Sequence, residues 1–391
     1  MKYHIPLIDL AGQYRSIQRE IDRAVKTVLA SGQYILGQYL QAFERALAER
    51  CDCDMAVGVN SGTDALELAL RACGVGRGDE VIVPALTFMA TPLAVTTIGG
   101  IPVIADVRED DFGIDLEDAA RRVTSRTRAI IPVHLFGQPC DLDGVLALAK
   151  AHKLAVIEDC AQAIGARYRG RPVGSFGQAG CFSFYPTKNL GAVGDGGAIV
   201  TSDPGVAERL GLLRNYGTKD KMTYSGYGRN SRLDELQAAI LLVKLKYLQP
   251  WNAARRERAG WYRDSFAAEG LERVGLPAEL PGREHVYHLF SVRVPERDRM
   301  LADLRARGIQ AMTHYPRPIH LGSMYEGQPL KRGDLPAAER IADEILALPL
   351  HPQLTREQVA EVVEQTGELL EIYGLAPSRD VRLKRKQASR A

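Results

Sequence analysis

Between residues 55 and 202 the chain alternates short apolar runs with helix-like segments, and this alternation limits the possible folds more than any other feature. The runs predicted as strands are Met55–Asn60, Glu80–Pro84, Ile101–Val107, Arg128–His134, Leu154–Glu158, Gly180–Tyr185 and Gly197–Ser202. The segments predicted as helices between them are Ala65–Cys73, Leu116–Val123 and Leu142–His152. Strands that alternate with helices form βαβ units, which build a mostly parallel sheet covered on both faces. The sequence therefore predicts an α/β fold.

The pattern changes after residue 250 and predicts a second, smaller α+β domain. A predicted helix, Leu233–Leu248, is stopped by Pro250. The segments predicted to follow are a helix at Arg255–Phe266, a Pro- and Gly-rich linker at 270–283, a strand at Tyr287–Val294, a helix at Arg297–Arg307, a short run at Ile309–Met312, and helices near Ala337–Leu346 and Arg356–Ile372. We therefore predict a large domain over 1–250, whose N-terminal segment can cross to the small domain, and a small domain over 251–375. Residues 376–391 predict a basic, flexible tail, with a nucleic-acid-binding arm as the alternative.

Charge and cysteine content exclude several classes of protein. The 50 basic and 48 acidic residues give a net charge of +2, which is too balanced for nucleic acid or an anionic membrane to be the main partner. Six cysteines in 391 residues indicate a reducing, cytoplasmic setting rather than a disulfide framework. Cys51 and Cys53 have no second pair at metal-ligand spacing, so we expect no metal site. The start of the chain lacks the apolar core of a signal peptide, and no apolar run could span a bilayer.

The segment NSGTDAL, residues 60–66, follows a predicted strand and opens a predicted helix. Small residues there, Gly62 and Thr63 among them, let backbone N–H groups approach an anion, and the helix N-terminus adds partial positive charge. This pattern indicates a phosphate site. A plain helix N-cap is the alternative, and Asp64 would repel a phosphate if its side chain faced the ligand.

Two further segments carry reactive side chains. Asp159 ends a buried parallel strand, at the sheet edge where open α/β sheets bind ligands; a helix cap is the alternative. A later strand delivers Ser183, and a turn then delivers Lys188 between an apolar aromatic strand and a glycine-rich loop. Most lysines are solvated surface groups, but a lysine with a depressed pKa forms Schiff bases with carbonyl compounds.

Together these segments match the needs of pyridoxal 5'-phosphate. This cofactor requires a phosphate site, a lysine for its aldehyde and an acid for its pyridine nitrogen. Asp159 precedes Lys188 by one strand-and-loop step, so both can reach one sheet edge. Phe88, in the segment TFMAT (87–91), follows another strand of that sheet. It could stack on the pyridine ring, or it could be a core phenylalanine.

Six motifs make the chain resemble the DegT/DnrJ/EryC1/StrS family of pyridoxal-phosphate-dependent sugar aminotransferases. They are NSGTDAL (60–66), TFMAT (87–91), EDCAQAIGA (158–166), GCFSFYPTKNLGAVGDGGAIVT (180–201), RNYG (214–217) and NSRLDELQAAIL (230–241). The resemblance runs from about Ile5 to Tyr373. It implies a fold of type I, like that of aspartate aminotransferase, and a homodimer whose active sites lie at the interface.

The resemblance also implies roles for individual residues. Lys188 matches the Schiff-base lysine and Asp159 the partner of the pyridine nitrogen. The other matches to cofactor-binding positions are Gln162 near the phenolic oxygen, Phe88 on the ring, Gly62, Thr63 and Ser183 at the phosphate, and Asn230 reaching the phosphate from the other subunit. Because the lysine is present where some relatives have histidine, the resemblance implies transamination rather than dehydration.

The substrate follows only from the resemblance. The family acts mostly on dTDP- or UDP-sugars at C3 or C4, with L-glutamate as the usual amino donor. Tyr216 stands where C4-directed relatives commonly have histidine, which implies a dTDP-3-keto-6-deoxyhexose. The candidate substrate contacts are Tyr185, Arg229, His314, Tyr315 and His320; Arg229 could instead be solvated, and the histidines could be packing residues. A C4 nucleotide-sugar aminotransferase, a scyllo-inosose aminotransferase and a non-catalytic regulator with this fold are the alternatives.

Overall fold

A seven-stranded sheet forms the centre of the large domain in the computed structural model, which describes residues 3–220, 222–325, 329–379 and 381–382. Its strands are β1 (Met55–Val59), β2 (Glu80–Pro84), β3 (Ile101–Ala105), β4 (Thr127–Ile130), β5 (Ala155–Asp159), β8 (Ala179–Ser183) and β9 (Gly197–Thr201). The spatial order is β1-β9-β8-β5-β4-β2-β3, and β9 runs antiparallel to both of its neighbours. The other neighbouring strands pair in parallel. The predicted α/β fold with a mostly parallel sheet is confirmed.

Helices cover both faces of this sheet. The helices of the large domain are α1 (Leu10–Ser31), α2 (Gln38–Arg50), α3 (Gly62–Ala72), α4 (Ala90–Thr97), α5 (Leu116–Arg121), α6 (Leu142–His152), α7 (Pro204–Leu213) and α8 (Glu235–Leu245). Sequence analysis did not predict α1, α2, α4 or α7. In α4 the apolar residues do not form one stripe: Thr91 and Pro92 are buried beside Ala94 and Val95, so the helical period that would reveal the element is missing.

The region predicted as the small domain contains a two-stranded antiparallel sheet packed against helices. Its elements are α9 (Leu248–Glu269), β11 (Phe290–Arg293), α10 (Arg297–Ala306), α11 (Pro336–Glu344), β12 (Ile345–Leu348) and α12 (Arg356–Ile372). The short strands β6 (Arg167–Tyr168), β7 (Arg171–Pro172) and β10 (Arg283–Glu284) pair with one another.

Two predicted boundaries in this region were wrong. Pro250 does not end a helix; it lies in the first turn of α9, where its missing N–H costs no intrahelical hydrogen bond. The helix predicted near Ala337–Leu346 ends at Glu344, because Ile345 and Leu346 pair with β11 as part of β12.

Both ends of the described chain lie against the small domain. Ile5 accepts a hydrogen bond from the Gln310 amide at 2.9 Å. Near the other end, Arg379 forms an ion pair with Glu269 at 2.6 Å, and Arg382 forms one with Glu371 at 2.5 Å. Arg379 and Arg382, in the segment predicted as a flexible tail, are therefore tied to the rest of the chain by ion pairs. Residues 380 and 383–391 lie outside the described residues, and the flexible tail stays a prediction. No helix in the described part of the chain is long and apolar enough to cross a membrane.

Candidate active site

Asp159 lies buried at the carboxyl end of β5, the central strand of the sheet. Its Oδ2 accepts a hydrogen bond from the Thr91 hydroxyl at 2.8 Å, and its Oδ1 accepts one from the Ala161 amide at 3.1 Å. Burial raises the pKa of this carboxyl group, and the two hydrogen bonds and the nearby charge of Lys188 oppose the shift. The carboxyl group is thus a fixed hydrogen-bond acceptor at the sheet edge, where ligands of α/β folds bind.

Lys188 follows β8 in the turn that Sequence analysis singled out. Its amide donates to the Tyr185 carbonyl at 2.8 Å, which fixes the turn. Burial lowers the pKa of the ammonium group to about 8, and the attraction of Asp159 opposes this shift only in part. A substantial fraction of this lysine is therefore neutral near physiological pH, as a nucleophilic amine requires.

The predicted phosphate site is assembled where β1 turns into α3. Gly62 and Thr63 lie in the first turn of α3, whose amides have no acceptor within the helix. A Cβ added at Gly62 would come within 2.6 Å of the Ser183 Cβ, so only glycine lets these two segments meet. Ser61, rather than Asp64, caps the helix, because its hydroxyl accepts from the Asp64 amide at 3.1 Å.

The Asp64 carboxylate is occupied by Ser231 and Arg229, so its negative charge does not exclude an anion from the phosphate site. Its Oδ2 accepts a hydrogen bond from the Ser231 hydroxyl at 2.6 Å, and its Oδ1 lies 3.4 Å from the Arg229 guanidinium. The same guanidinium pairs with Glu67 at 2.5 Å. These contacts offset the negative charge near the N-terminus of α3 and commit Arg229 to an ion-pair network.

Phe88, Tyr315 and Gln162 are brought together above the sheet edge. The Phe88 side chain is 57% exposed, so it is not a core phenylalanine, and its ring centroid lies 5.8 Å from that of Tyr315. The Tyr315 hydroxyl accepts a hydrogen bond from Gln162 Nε2 at 3.1 Å, while Gln162 Oε1 accepts from the Phe136 amide at 2.7 Å. An open aromatic face therefore stands beside a positioned amide.

Two histidines lie close enough to Lys188 to feel its charge. Burial, followed by the charge of Lys188, lowers the pKa of His314 to about 4. Burial, followed by the charges of Lys188 and Arg255, lowers the pKa of His288 well below its usual range. Both side chains are therefore neutral at physiological pH, and the Nδ1 atom of each is buried without a hydrogen-bond partner among the described residues. His288 was not predicted as a site residue, because it lies within a predicted strand and belongs to none of the motifs.

The segment that carries Asn230 is here called the strap and comprises residues 214–220 and 222–232. Asn230 is exposed and lies between Arg229 and Ser231, which both bind side chains of α3. A backbone bridge joins Asn215 to Asn230. The contacts of its two neighbours and this backbone bridge therefore fix the position of Asn230, while its side chain stays exposed.

The remaining candidates differ in their surroundings. Tyr185 is exposed, three residues before Lys188 in the same turn. His320 is buried, and its Nε2 lies 3.1 Å from Glu339 Oε1, so its ring is already held by a side chain. His134, Glu158 and Cys160 form a buried group close enough for metal ligation. However, Glu158 already accepts hydrogen bonds from the amides of Gly174, Phe176 and Gly177 at 2.7–2.9 Å, and the absence of a metal from the reaction stays a prediction.

These surroundings fit pyridoxal phosphate on structural grounds. The glycine cradle at Gly62 leaves room beside Ser183 that any side chain would fill. The buried Asp159 carboxylate has two donors, whereas its two oxygens can accept about four hydrogen bonds. The amine of Lys188 has a depressed pKa in the same site. Phosphate, ring nitrogen and aldehyde would each find a matching group.

Comparison with known proteins identifies the family. The model of the DegT/DnrJ/EryC1/StrS aminotransferase family matches residues 15–366. The chain is 48% identical over 367 residues to dTDP-3-amino-3,4,6-trideoxy-alpha-D-glucose transaminase of Streptomyces venezuelae, covering 94% of this chain and 96% of that protein. It is 44% identical over 365 residues to a protein of Geobacillus stearothermophilus named pleiotropic regulatory protein, covering 93% and 98%.

The structural comparison agrees. The crystal structure of S. venezuelae DesV in complex with a ketimine intermediate superimposes with a TM-score of 0.91 at 47% identity and covers 95% of this chain and 99% of that chain. The resemblance inferred from the motifs is confirmed, and with it the type I fold and the dependence on pyridoxal phosphate. The chain belongs to the DegT/DnrJ/EryC1/StrS aminotransferase family.

Proposed function

We propose that this aminotransferase converts a dTDP-linked 3-keto-6-deoxyhexose to the 3-amino sugar, with L-glutamate as amino donor. The observation that carries the proposal is the 48% identity, over 94% of the chain, to a transaminase named for a dTDP-3-amino sugar, in a protein whose lysine, acid and glycine cradle lie at one sheet edge. L-Glutamate is the donor that the family resemblance implies.

In the proposed site, each residue holds one part of the cofactor. Gly62, Thr63 and Ser183 would bind the phosphate, and Asp159 would accept a hydrogen bond from the protonated ring nitrogen. Phe88 would pack on the ring, and Gln162 would lie near the phenolic oxygen. Pyridoxal phosphate, when bound, supplies an aldehyde that links to amines and a ring that accepts electron density.

Lys188 would move the proton in both halves of the reaction. With a pKa of about 8, its amine is partly neutral near pH 7 and can take a proton from the carbon that carries the amino group. The ammonium group so formed can return that proton to the carbon on the other side of the amino nitrogen, so one residue acts as base and then as acid. Asp159 would keep a proton on the ring nitrogen throughout.

The open side of the site would receive the sugar. Tyr185 and Phe88 are exposed beside Lys188 and Tyr315. The buried, unpartnered Nδ1 of His314 offers a neutral hydrogen-bonding group. We keep Tyr185, His314 and Tyr315 as proposed substrate contacts. Arg229 and His320 also stay predicted substrate contacts. Each already binds a glutamate, Glu67 and Glu339 respectively, and would have to share that partner or release it to bind the substrate.

We also propose that two copies of the chain share their active sites. The strap exposes large apolar side chains, namely Tyr216, Met222, Tyr224 and Tyr227, of which Tyr227 is 93% exposed. Exposed apolar patches of this kind mark interfaces. Asn230 lies on the same strap and would reach the partner's phosphate site.

The six unpaired cysteines, all within described residues, support the predicted cytoplasmic location.

The experiment that tests this function is a transamination assay with purified enzyme, pyridoxal phosphate and L-glutamate. The acceptor panel contains dTDP-3-keto- and dTDP-4-keto-6-deoxyhexoses, the corresponding UDP sugars and scyllo-inosose. We expect the highest kcat/KM with a dTDP-3-keto sugar and a product whose new amino group is at C3 by NMR. Faster turnover of a 4-keto sugar or of the cyclitol would replace the proposed substrate by one of the alternatives.

A non-catalytic regulator is the second candidate, and the relative named pleiotropic regulatory protein is the observation that favours testing it. The intact Lys188 and Asp159 support catalysis instead. Mixing the enzyme with L-glutamate alone decides between the two. A catalyst converts its bound pyridoxal phosphate to the pyridoxamine form and releases one 2-oxoglutarate per site, whereas a regulator that has lost the chemistry leaves the absorbance spectrum unchanged.

A further inference from the structure

We propose that Thr91, supported by Thr87, is a positioning residue that fixes the orientation and the charge of Asp159 toward the ring nitrogen of pyridoxal phosphate. The inference rests on the proposed role of Asp159. It assigns a function to two hydroxyl groups that lie outside the cofactor contacts named above.

The hydrogen bonds of these side chains have one direction only. The Thr91 hydroxyl lies 2.8 Å from Asp159 Oδ2, and the two threonine hydroxyls lie 2.9 Å apart. A carboxylate can only accept hydrogen bonds, so Thr91 must give it the single hydroxyl proton. Thr91 can then only accept from Thr87. The result is a chain of donors that runs from Thr87 through Thr91 to Asp159.

Because these hydrogen bonds lie in the protein interior, they have a large effect on the charge of the carboxyl group. Thr91 is fully buried, and Thr87 and Asp159 are nearly so. Burial alone would raise the pKa of the Asp159 carboxyl group, and the Thr91 hydrogen bond is the largest effect that lowers it, followed by the Ala161 amide. A hydrogen bond to a charged group is worth more inside a protein than in water, and neighbouring hydrogen bonds strengthen one another. Without Thr91, the carboxylate would depend mainly on one backbone amide and the lysine.

The position of Thr87 and Thr91 along the chain also links the acid to the ring face. Phe88 lies between them in the loop that leads into α4, and its exposed ring lies beside that of Tyr315. Because the two threonines are hydrogen-bonded to each other and to Asp159, the turn that carries Phe88 is held against the strand that carries the acid. The segment 87–91 therefore positions both the acid that would meet the ring nitrogen and the phenylalanine that would pack on the face of the cofactor ring.

Thr91→Val tests the proposal, since valine keeps the shape of threonine and removes the hydroxyl. Thr91→Ser restores the hydroxyl, and Thr97→Val is the matched control: Thr97 lies on the same helix, and its hydroxyl donates only to the Leu93 carbonyl, at 2.8 Å. Two quantities are measured for each variant. They are the dissociation constant of pyridoxal phosphate from the apoenzyme and the 15N chemical shift of ring-labelled cofactor bound to the enzyme.

We expect Thr91→Val to weaken cofactor binding about tenfold, the size of one hydrogen bond to a charged group. Its 15N signal should move toward that of an unprotonated pyridine. Thr91→Ser and Thr97→Val should both stay near the wild type. Equal behaviour of Thr91→Val and Thr97→Val, or a Thr91→Ser variant as impaired as Thr91→Val, would overturn the proposal.

Two further variants keep the test decisive. Should Thr91→Val fail to fold, Thr87→Val is judged alone: it should shift the 15N signal in the same direction by a smaller amount, and no shift would overturn the inference. Asp159→Asn separates this inference from the one on which it rests. If Asp159→Asn leaves the ring nitrogen protonated, the role of Asp159 itself is wrong; if only the threonine variants have no effect, the positioning role alone is wrong.

Discussion

The cofactor end of the site and the strap are built on opposite principles. At the cofactor end, Asp159 is buried and bound by a hydroxyl and an amide, and Lys188 sits near it with a depressed pKa. On the strap, Tyr224 and Tyr227 are 68% and 93% exposed. The acid and the lysine are both positioned within a single chain, whereas the strap presents apolar side chains that are largely exposed.

The difference teaches where chemistry and specificity are encoded. A buried carboxylate and a neutral lysine need a preformed, desolvated setting, so their surroundings are packed before any ligand arrives. Exposed aromatic side chains acquire their setting only when a second surface meets them. Reactivity should therefore be insensitive to strap changes that spare Asn230 and leave assembly intact, and assembly should be insensitive to changes at the lysine.

Replacing Lys188 should have the largest effect of any single change. Lys188→Ala removes the amine that links to the aldehyde and moves the proton. We expect turnover to fall below detection and the absorbance band of the lysine-linked cofactor to be lost, while the proposed dimer persists by light scattering. A variant that keeps both the absorbance and the turnover would contradict the assignment.

Lys244 provides the matched control for this change. Lys244 is a buried lysine whose pKa is likewise lowered to about 8 by burial, but its ammonium group donates to the Gly191 carbonyl at 2.6 Å. Lys244→Met should reduce stability and keep the cofactor absorbance. If both variants fold fully and both lose the absorbance, then proximity to Asp159 is not what distinguishes the lysine that reacts with the cofactor.

The second prediction concerns the pH dependence of cofactor binding at Lys188. Only the neutral amine of Lys188 can capture the aldehyde, and its pKa is lowered to about 8. The rate at which apoenzyme binds pyridoxal phosphate should therefore rise about tenfold per pH unit below the pKa and level off above it. His314, with a pKa near 4, stays neutral over this range. Stopped-flow absorbance measures the rate, and a midpoint near the ordinary lysine value of 10.5 would contradict the burial argument.

The same contrast explains which features could be predicted from the sequence. Lys188, Asp159 and the glycine cradle lie in contiguous motifs that join strand ends to turns, so their local pattern already places them at one sheet edge. The hydrogen bond from Thr91 to Asp159 joins residues 68 positions apart, and no local pattern reports it. His288 lay hidden in a predicted strand for the same reason.

The third prediction addresses the strap. Tyr227→Asp places a charge on the proposed interface, and we expect dimerisation to weaken about thirtyfold, as for an aromatic residue that dominates an interface. Turnover per chain should fall at low enzyme concentration and recover at high concentration, because the partner would supply Asn230. Ile372→Asp is the control, since Ile372 is 62% exposed on α12, far along the chain from the strap. Unchanged mass by light scattering for Tyr227→Asp would contradict the interface.

The smallest effect should come from Ser231, where the two regions meet. Its hydroxyl donates to the buried Asp64 at 2.6 Å and accepts from the Asn60 amide at 3.2 Å, so it ties the strap to the phosphate site. Ser231→Ala leaves Asp64 with Arg229 at 3.4 Å, and we expect a loss of about 1–2 kcal/mol in the free energy of unfolding by urea titration. Cofactor affinity should fall only slightly, because the Gly62 cradle is untouched. Ser225→Ala, at an exposed strap position, should change neither quantity. If both variants behave alike, the hydrogen bonds of Ser231 contribute nothing and the two regions are independent.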